Sequence, residues 1–321
     1  MNIEIVDPVS QAIQTARRIL FAPFNFVKWC GMGFTALLGV DLMVSYYCGG
    51  PGGGNGNGFE NEPEIGKFVA ELVAKAQEHW VLIVSVGSAI LAIWLAIMVL
   101  ILWINSRGRF MLLDNVVRNA GEIREPWRRL RPLGNSLFRF MLAFFVTWGV
   151  CFLALVLVSA LVAIPDIHRH SLGINAIGAI ALGILGLLLL LLTGNVIGTM
   201  TEDFVVPIMY ATNTGVLQAW QEYLTLLKPN KGAFTLYILF RWVLEFGIVI
   251  LILLMCVVTC CIVFLPFVGT VLRLPFIVFM RAYPLHILEQ FGDRYRLLPA
   301  PWLGSKAPQA HGQASEAPRL T

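Results

Sequence analysis

The sequence is poor in charge: Asp, Glu, Lys and Arg make up only 13% of its 321 residues, against about 25% in soluble domains. So little charge cannot cover a water-facing surface, and this excludes both a soluble protein and a disordered chain. The six cysteines are scattered or lie in apolar runs, which excludes a secreted disulfide framework. Hydrophobic side chains are abundant instead, at 58% of all residues, and lipid is the solvent that can accommodate them.

Six apolar stretches are long enough to cross a membrane. A spanning helix needs about 20 mainly apolar residues to cross a hydrocarbon core about 30 Å thick. The stretches that qualify are residues 24–47, 80–104, 137–164, 172–200, 233–264 and 268–288. The sequence therefore predicts an all-α, polytopic transmembrane helix bundle in which residues 1–298 form a single domain. Residues 299–321, rich in Pro, Ala, Ser and Gln, are predicted to form a disordered cytoplasmic tail.

The sixth stretch is the least regular. It follows the fifth after only three residues and carries Arg273, Pro275, Arg281 and Pro284. Charges and helix-breaking prolines are unfavourable in lipid unless the surrounding protein compensates for them. An alternative with five spans and a re-entrant final segment therefore stays open.

Basic residues are distributed unequally between the two sides of the predicted spans. Fifteen lie in the alternate segments that begin with the N-terminus, whereas three, Lys67, Lys75 and Arg169, lie on the other side. Because cytoplasmic loops carry an excess of Lys and Arg, both termini are predicted to be cytoplasmic. No cleavable signal peptide is evident, so the first span is expected to stay.

Amphipathic helices are predicted outside the spans. Residues 7–20 repeat apolar positions at helical spacing, which predicts a helix lying on the membrane and stopping near Pro23. Residues 61–78 have a similar pattern on the outer side, after a Gly-rich segment at 49–58. We interpret that segment as a flexible loop, because it lacks the setting of a phosphate-binding loop.

The segment between the second and third spans is rich in arginine and also contains tryptophan. Anionic headgroups attract basic residues by about 1 kcal/mol each, and Trp anchors at headgroup level. We therefore predict contact with anionic lipid or a protein partner, with a positive-inside signal alone as the alternative. Nucleic-acid binding is not expected, since no binding module is recognisable. The candidate contact residues are Arg107, Arg109, Arg118, Trp127, Arg128, Arg129 and Arg131.

Five ionisable residues lie deep in predicted spans: Asp41, Arg241, Glu245, Arg273 and Arg281. Such residues are costly in lipid unless paired or hydrated, so each is a candidate functional residue. Arg241 and Glu245 are one helical turn apart and can pair. Asp41 and Arg273 lie at matching depths and are predicted to face each other, while Arg281 lies in the inner half with Glu245 as its possible carboxylate. The charges either line a transport pathway or join helices, and the second interpretation is favoured.

Small residues recur at four-residue spacing in the first and fourth predicted spans. Because they let helices approach closely, they predict packing faces. The positions are Gly31, Thr35 and Gly39 in the first span, and Ala179, Gly183, Gly194 and Gly198 in the fourth.

No catalytic or metal-binding pattern is recognisable. His168 and His170 are close in sequence but lack the further ligands of a metal site. Glu202 and Asp203 are adjacent, so their side chains point apart around a helix and cannot act as an acid/base pair. We expect them, with Thr201, to cap the helix that follows. The sequence thus predicts no metal or cofactor and favours a non-enzymatic role.

Three cytoplasmic segments, at residues 106–110, 203–209 and 281–292, support a resemblance that covers nearly the whole chain. The chain resembles an uncharacterised family of bacterial six-span membrane proteins, similar in layout to the membrane domain of some glycerophosphodiester phosphodiesterases. The resemblance implies an integral protein of the bacterial cytoplasmic (inner) membrane with unknown function. No sequence remains for the catalytic phosphodiesterase domain, so the resemblance implies no active site.

These observations favour a non-enzymatic integral membrane protein whose basic cytoplasmic segments contact anionic lipid or a partner. A small transporter or channel that uses the five intramembrane charges is the alternative, and a lipid-modifying enzyme is the third. The first two differ in a structural property. Transport requires the charges to line a water-accessible cavity, whereas a structural role pairs them in a dry bundle.

Overall fold

The computed structural model describes residues 4–22, 24–41, 80–168, 173–259 and 267–298, and all regular structure within these ranges is helical. This confirms the predicted all-α class. The helices are α1 (Asp7–Phe21), α2 (Phe26–Ala36), α3 (Trp80–Arg118), α4 (Arg124–Arg129), α5 (Arg131–His168), α6 (Ile174–Met200), α7 (Val206–Thr212), α8 (Val216–Leu227), α9 (Lys231–Val258) and α10 (Val268–Leu288). A π-helical turn, Leu37–Asp41, extends α2, and a second, Thr201–Val205, joins α6 to α7.

Five helical segments are long and apolar enough to cross a membrane. They are Val84–Arg118, Arg131–Asp166, Asn175–Thr212, Val216–Val258 and Val268–Phe291. The apolar helix Phe26–Val40 is shorter, and residues 42–47 of the predicted first span lie outside the described residues. Five of the six predicted spans are therefore supported, and the first, at residues 24–47, stays a prediction.

The last helix, α10, runs without a break over 21 residues despite Pro275 and Pro284. At 1.5 Å per residue this is about 31 Å, close to the thickness of the hydrocarbon core. The length favours a full crossing over a re-entrant segment.

The buried core lies at one end of the bundle. We call this the packed end; it comprises α1, α4, α7, α8, the π-helical turn Thr201–Val205 and the adjoining ends of α3, α5, α6, α9 and α10. Its largest fully buried side chains include Phe110, Phe204, Ile208, Tyr237 and Tyr283. In the most apolar 18-residue stretch of each of the first four spanning segments, at most 6% of the residues are buried. In the fifth segment, which contains α10, the share is 56%. The apolar halves of those four segments are therefore mostly exposed on the outside of the bundle, where lipid would solvate them, although α5 packs against both α3 and α6.

The amphipathic helix α1 packs against α10. Ala12, Ala16 and Leu20 are buried as the sequence pattern predicts, and Thr15 Oγ1 lies 2.9 Å from His286 Nε2. Ile13, in contrast, is exposed. Helix α1 thus forms part of the packed end and leaves one apolar edge open.

Close backbone contact between α2 and α3 confirms one predicted packing face. A Cβ atom added at Gly108 would lie 2.6 Å from the backbone nitrogen of Gly39, and one added at Gly39 would lie 2.8 Å from the carbonyl carbon of Gly108. Asn105 Nδ2 donates to the Gly39 carbonyl at 2.9 Å, fixing the crossing. In the fourth predicted span, Gly194 faces the Trp148 indole, whereas a Cβ at Gly198 would meet open space.

Other predicted segments cannot be compared. The Gly-rich segment 49–58, the outer helix predicted at 61–78 and the tail at 299–321 all lie outside the described residues.

The crossing of α2 and α3 leads to a test of the fold. Gly108→Ala should lower the free energy of unfolding by about 1–3 kcal/mol, because the new methyl group overlaps the backbone of α2. Gly149→Ala on α5 meets no atom within 4 Å, and Ala favours a helix by up to about 1 kcal/mol over Gly. In detergent, the free energy of unfolding should therefore be lower than that of the wild type in Gly108→Ala and equal or higher in Gly149→Ala. Equal stabilities would show that the two backbones are farther apart.

Candidate functional site

The π-helical turn Thr201–Val205 carries two adjacent carboxylates, Glu202 and Asp203. They point in different directions around the helix, as adjacent residues must, and each reaches arginine from another helix. No side-chain cap is formed at the start of the π-helical turn or of α7. The expected capping role is therefore wrong, and the two carboxylates hold ion pairs instead.

Glu202 connects three parts of the chain. Arg281 of α10 donates from Nη2 to Glu202 Oε1, and from Nη1 to the Glu202 carbonyl at 3.2 Å. Arg109 Nη2 of α3 lies 3.8 Å from Glu202 Oε2. Two of the three segments that supported the family resemblance, 106–110 and 281–292, thus reach a carboxylate that directly precedes the third, 203–209. Since Arg281 pairs with Glu202, its predicted pairing with Glu245 is wrong.

Asp203 is only 1% exposed and accepts three hydrogen bonds. Arg241 of α9 donates from Nε to Oδ2 at 2.8 Å and from Nη2 to Oδ1 at 3.5 Å, and Tyr237 donates from its hydroxyl to Oδ2 at 2.7 Å. Arg241 Nη1 also lies 3.1 Å from Glu245 Oε1. That contact confirms the predicted pairing of Arg241 with Glu245 one turn away.

A cavity of about 370 Å³ opens between α9, α10 and the π-helical turn; we call it the charged cavity. Four of the five predicted intramembrane charges line it, together with both carboxylates of the π-helical turn: Arg241, Glu245, Arg273, Arg281, Glu202 and Asp203. Val40 and apolar residues of α9 and α10 complete its walls. Ion pairing and a cavity thus occur together, so the structural interpretation and the transport interpretation share one set of residues.

Arg273 lies on the wall of the charged cavity and donates from Nε to the Gly269 carbonyl at 3.3 Å. The backbone of Asp41 ends the π-helical turn after α2, but its side chain lies outside the described residues. The predicted pairing of Asp41 with Arg273 therefore stays a prediction.

Two of the arginines predicted to contact lipid or a partner face the protein interior. Arg107 is buried: its guanidinium lies 4.1 Å from the Trp103 ring and 5.0 Å from the Trp127 ring, and donates to Asn135 Oδ1 at 3.0 Å. Arg109 is only 16% exposed and pairs with Glu202. The prediction of a surface role is wrong for both. Trp103 of α3 itself and Trp127 of α4 enclose Arg107, and the π-helical turn supplies the carboxylate that pairs with Arg109.

A second ionic cluster surrounds Asp114, which is 1% exposed. It pairs with Arg118 at 3.2 Å and with Arg129, and accepts a hydrogen bond from the Tyr210 hydroxyl at 2.6 Å. Burial lowers the pKa of Arg129, but the hydrogen bond and charge of Asp114 outweigh this and raise it above its ordinary value. Glu125 also pairs with Arg118 and Arg129.

Three arginines of this segment project outward. Arg124 and Arg128 on α4 and Arg131 at the start of α5 are exposed, and within the described ranges none has a carboxylate within 4 Å. Trp127 lies half-buried among them, with its ring in T-shaped contact with Trp103 at 5.8 Å. Arg128 and Arg131, two of the predicted contact residues, are thus exposed, as is Arg124 beside them, and their contact with lipid or a partner stays a prediction.

Sequence reasoning did not find Asp114 or Tyr237 and gave Glu202 and Asp203 the wrong role. The sequence did contain one indication: the carboxylates of Asp114, Glu202 and Asp203 lie within apolar segments, where an unpaired charge is costly. Among the residues that the structure describes, no group of three or more His, Cys, Asp or Glu side chains could hold a metal ion.

A sequence profile described as "Family of unknown function (DUF7544)" matches residues 3–274, and the chain belongs to that family. The match runs from before α1 into α10 and includes both the π-helical turn and the Asp114 cluster. No curated protein and no solved structure matches the chain.

The buried Asp203 cluster leads to a stability prediction. Asp203→Asn should cost about 3 kcal/mol or more of unfolding free energy, because it removes the charge that compensates buried Arg241. Asp293→Asn provides the matched control, since Asp293 is 91% exposed where it pairs with Arg296, and exposed pairs contribute about 0–1 kcal/mol. SDS-induced unfolding of both variants checks this. Similar small losses would show that Asp203 is not needed to compensate Arg241.

Proposed function

We propose that the protein is a non-enzymatic integral membrane protein whose packed end contacts anionic lipid headgroups through exposed arginines. The observation that carries this proposal is the outward placement of Arg124, Arg128 and Arg131 beside Trp127. An anionic membrane surface attracts each such residue by about 1 kcal/mol, and indole rings prefer the headgroup level.

The internal ion pairs make the proposal more specific than composition allows. Arg109, Arg241 and Arg281 are compensated by the carboxylates of the charged cavity, and Arg118 and Arg129 by Asp114 and Glu125. These five arginines have little charge left to offer a headgroup. The three outward arginines of α4 and α5 are therefore the ones proposed to contact lipid.

The cytoplasmic face is the proposed position of the packed end. The arginine-rich connections of the chain gather there, and such connections stay preferentially on the cytoplasmic side. The inner leaflet is also where anionic lipids are concentrated. The proposed orientation and the proposed lipid contact thus agree.

The charged cavity favours transport of an ion or small charged solute as the second candidate function. Glu245 is 43% exposed and lines the cavity beside Arg241. It lies 14 residues into α9, about 21 Å from the start of that helix at 1.5 Å per residue. A partly exposed carboxylate at this depth is an expected feature of an ion pathway.

Removal of the outward arginines tests the lipid proposal. In nanodiscs, the wild type should have a higher Tm with phosphatidylglycerol than with phosphatidylcholine alone. The triple variant Arg124→Gln, Arg128→Gln, Arg131→Gln should lose most of this Tm difference, because each arginine contributes about 1 kcal/mol of attraction to an anionic surface. The matching triple lysine variant should keep it because the charges remain, and high salt should weaken it. An unchanged lipid dependence in the glutamine variant would contradict the proposal.

Removal of one carboxylate tests the transport candidate. If ions pass the charged cavity, proton or chloride flux into proteoliposomes should fall at least tenfold in Glu245→Gln. The control is Glu125→Gln, because Glu125 is 48% exposed and pairs with an arginine four residues away at 3.1 Å, much as Glu245 does. Flux in neither the wild type nor the variants, or equal flux in all of them, would argue against this candidate.

A further inference from the structure

A second cavity, of about 450 Å³, lies between α1, α9 and α10; we call it the apolar groove. We propose that it binds an acyl chain of an anionic phospholipid and that Arg17 holds the phosphate of that lipid. The proposal uses different residues from the arginine contact at α4 and does not depend on it.

The chemistry of the walls points to a hydrocarbon ligand. Of the described residues that line the groove, only Arg17 is charged, and the others are apolar, glycine or proline. Part of the groove is open because Gly247 of α9 has no side chain, and a Cβ atom added there would meet no atom within 4 Å. A polar ligand would find no partner along such walls.

The groove opens onto surface that faces lipid. Ile13 and Phe21 of α1 are 55% and 53% exposed at one edge, and Val243 of α9 is 61% exposed at another. All three belong both to the groove and to the apolar exterior of a protein with membrane-spanning helices. A phospholipid of the adjoining leaflet can therefore enter sideways without crossing water.

Arg17 supplies charge complementarity. It lies on the exposed side of α1 and lines the groove, and it has no carboxylate within 4 Å in the part of the chain that the structure describes. A guanidinium binds phosphate oxygens with two parallel hydrogen bonds. Because α1 belongs to the packed end, which we propose lies at the cytoplasmic face, Arg17 is placed to meet the headgroup of an inner-leaflet lipid.

A helix of a second chain fits the groove less well. An α-helix is about 10 Å across with a pitch of 5.4 Å, so a volume of this size holds only about one turn. One turn offers little packing, and packing is what drives helix association in lipid. An acyl chain is thinner and extends along the groove.

The apolar groove and the charged cavity are neighbours with separate chemistry. Ile248 of α9 and Phe276 of α10 line both and so lie between them. A lipid chain in the groove would therefore pack against the same two side chains that close the charged cavity on that side.

Photolabelling tests the site. The full-length protein is reconstituted in nanodiscs that contain phosphatidylglycerol with a diazirine in one acyl chain, irradiated, digested and mapped by mass spectrometry. The expected labels concentrate on residues 243–251 of α9 and 275–279 of α10. Gly247→Phe should abolish them by filling the groove, whereas Gly149→Phe, which also projects into open space, should leave them unchanged.

A charge variant tests the headgroup contact. Arg17→Gln should lower labelling of the groove by the phosphatidylglycerol probe about fivefold, and leave labelling by the matching phosphatidylcholine probe unchanged. Because Arg17 is exposed, this variant keeps the test valid even if Gly247→Phe fails to fold. Labels spread evenly over all lipid-facing helices, or equal labelling by the two probes in the wild type, would overturn the proposal.

A further variant separates this proposal from the first. The triple glutamine variant of Arg124, Arg128 and Arg131 should keep full labelling of the groove. If this variant loses the lipid dependence of its Tm and keeps its labelling, both proposals are supported. If it keeps both, only the proposed α4 contact is ruled out. If this variant loses the labelling of the groove, Arg17 is not the headgroup ligand.

Discussion

The compensation of buried arginines by two adjacent carboxylates is the interaction on which the rest of the structure depends. Glu202 and Asp203 occupy one π-helical turn and reach arginines of α3, α9 and α10. A buried guanidinium without a carboxylate would cost several kcal/mol, so none of these helices can dock at low cost without that turn. Long-range ion pairs thus join parts of the chain that lipid alone would leave apart.

This requirement explains why the core lies at one end. In the lipid-facing halves, burial of an apolar side chain against a neighbour gains little, because lipid tails are as apolar as leucine. Close approach there depends on small residues, as where Gly194 meets Trp148. At the packed end, amphipathic helices supply polar and aromatic partners, and Phe204 packs edge-to-face against Tyr237 at 4.9 Å. The two cavities beside α9 and α10 lie where this packing gives way to lipid.

The sequence predicted local features well and distant pairings poorly. The positions of α1 and of the spanning helices follow from apolar length and 3.6-residue periodicity, and the Arg241–Glu245 pair follows from helix geometry alone. Helix α3, however, continues beyond the predicted end at residue 104 to Arg118, because residues such as Phe110 are buried in the packed end. No local pattern marks that continuation as different from a loop on the membrane surface.

The candidate site was less predictable for the same reason. Asp203 and Arg241 are 38 residues apart, and Glu202 and Arg281 are 79 apart, so only the fold brings them together. Arg107 illustrates the opposite error. An arginine near the end of a span is expected to lie on the membrane surface, and only the fold shows that two indole rings enclose this one.

The pairing pattern also determines which charges act outside the molecule. Where an arginine pairs with a carboxylate at 3–4 Å, the two fields nearly cancel beyond a Debye length, about 8 Å at physiological salt. Among the residues that the structure describes, exposed arginines with no carboxylate within 4 Å, including Arg17, Arg124, Arg128 and Arg131, therefore keep their full field outside the molecule. In the orientation and lipid contact that we propose, the residues that favour one orientation during insertion are the same residues that face anionic headgroups afterwards. The proposed topology and the proposed lipid contact are then two consequences of one charge distribution. The internal carboxylates shape that distribution, because they neutralise the other arginines.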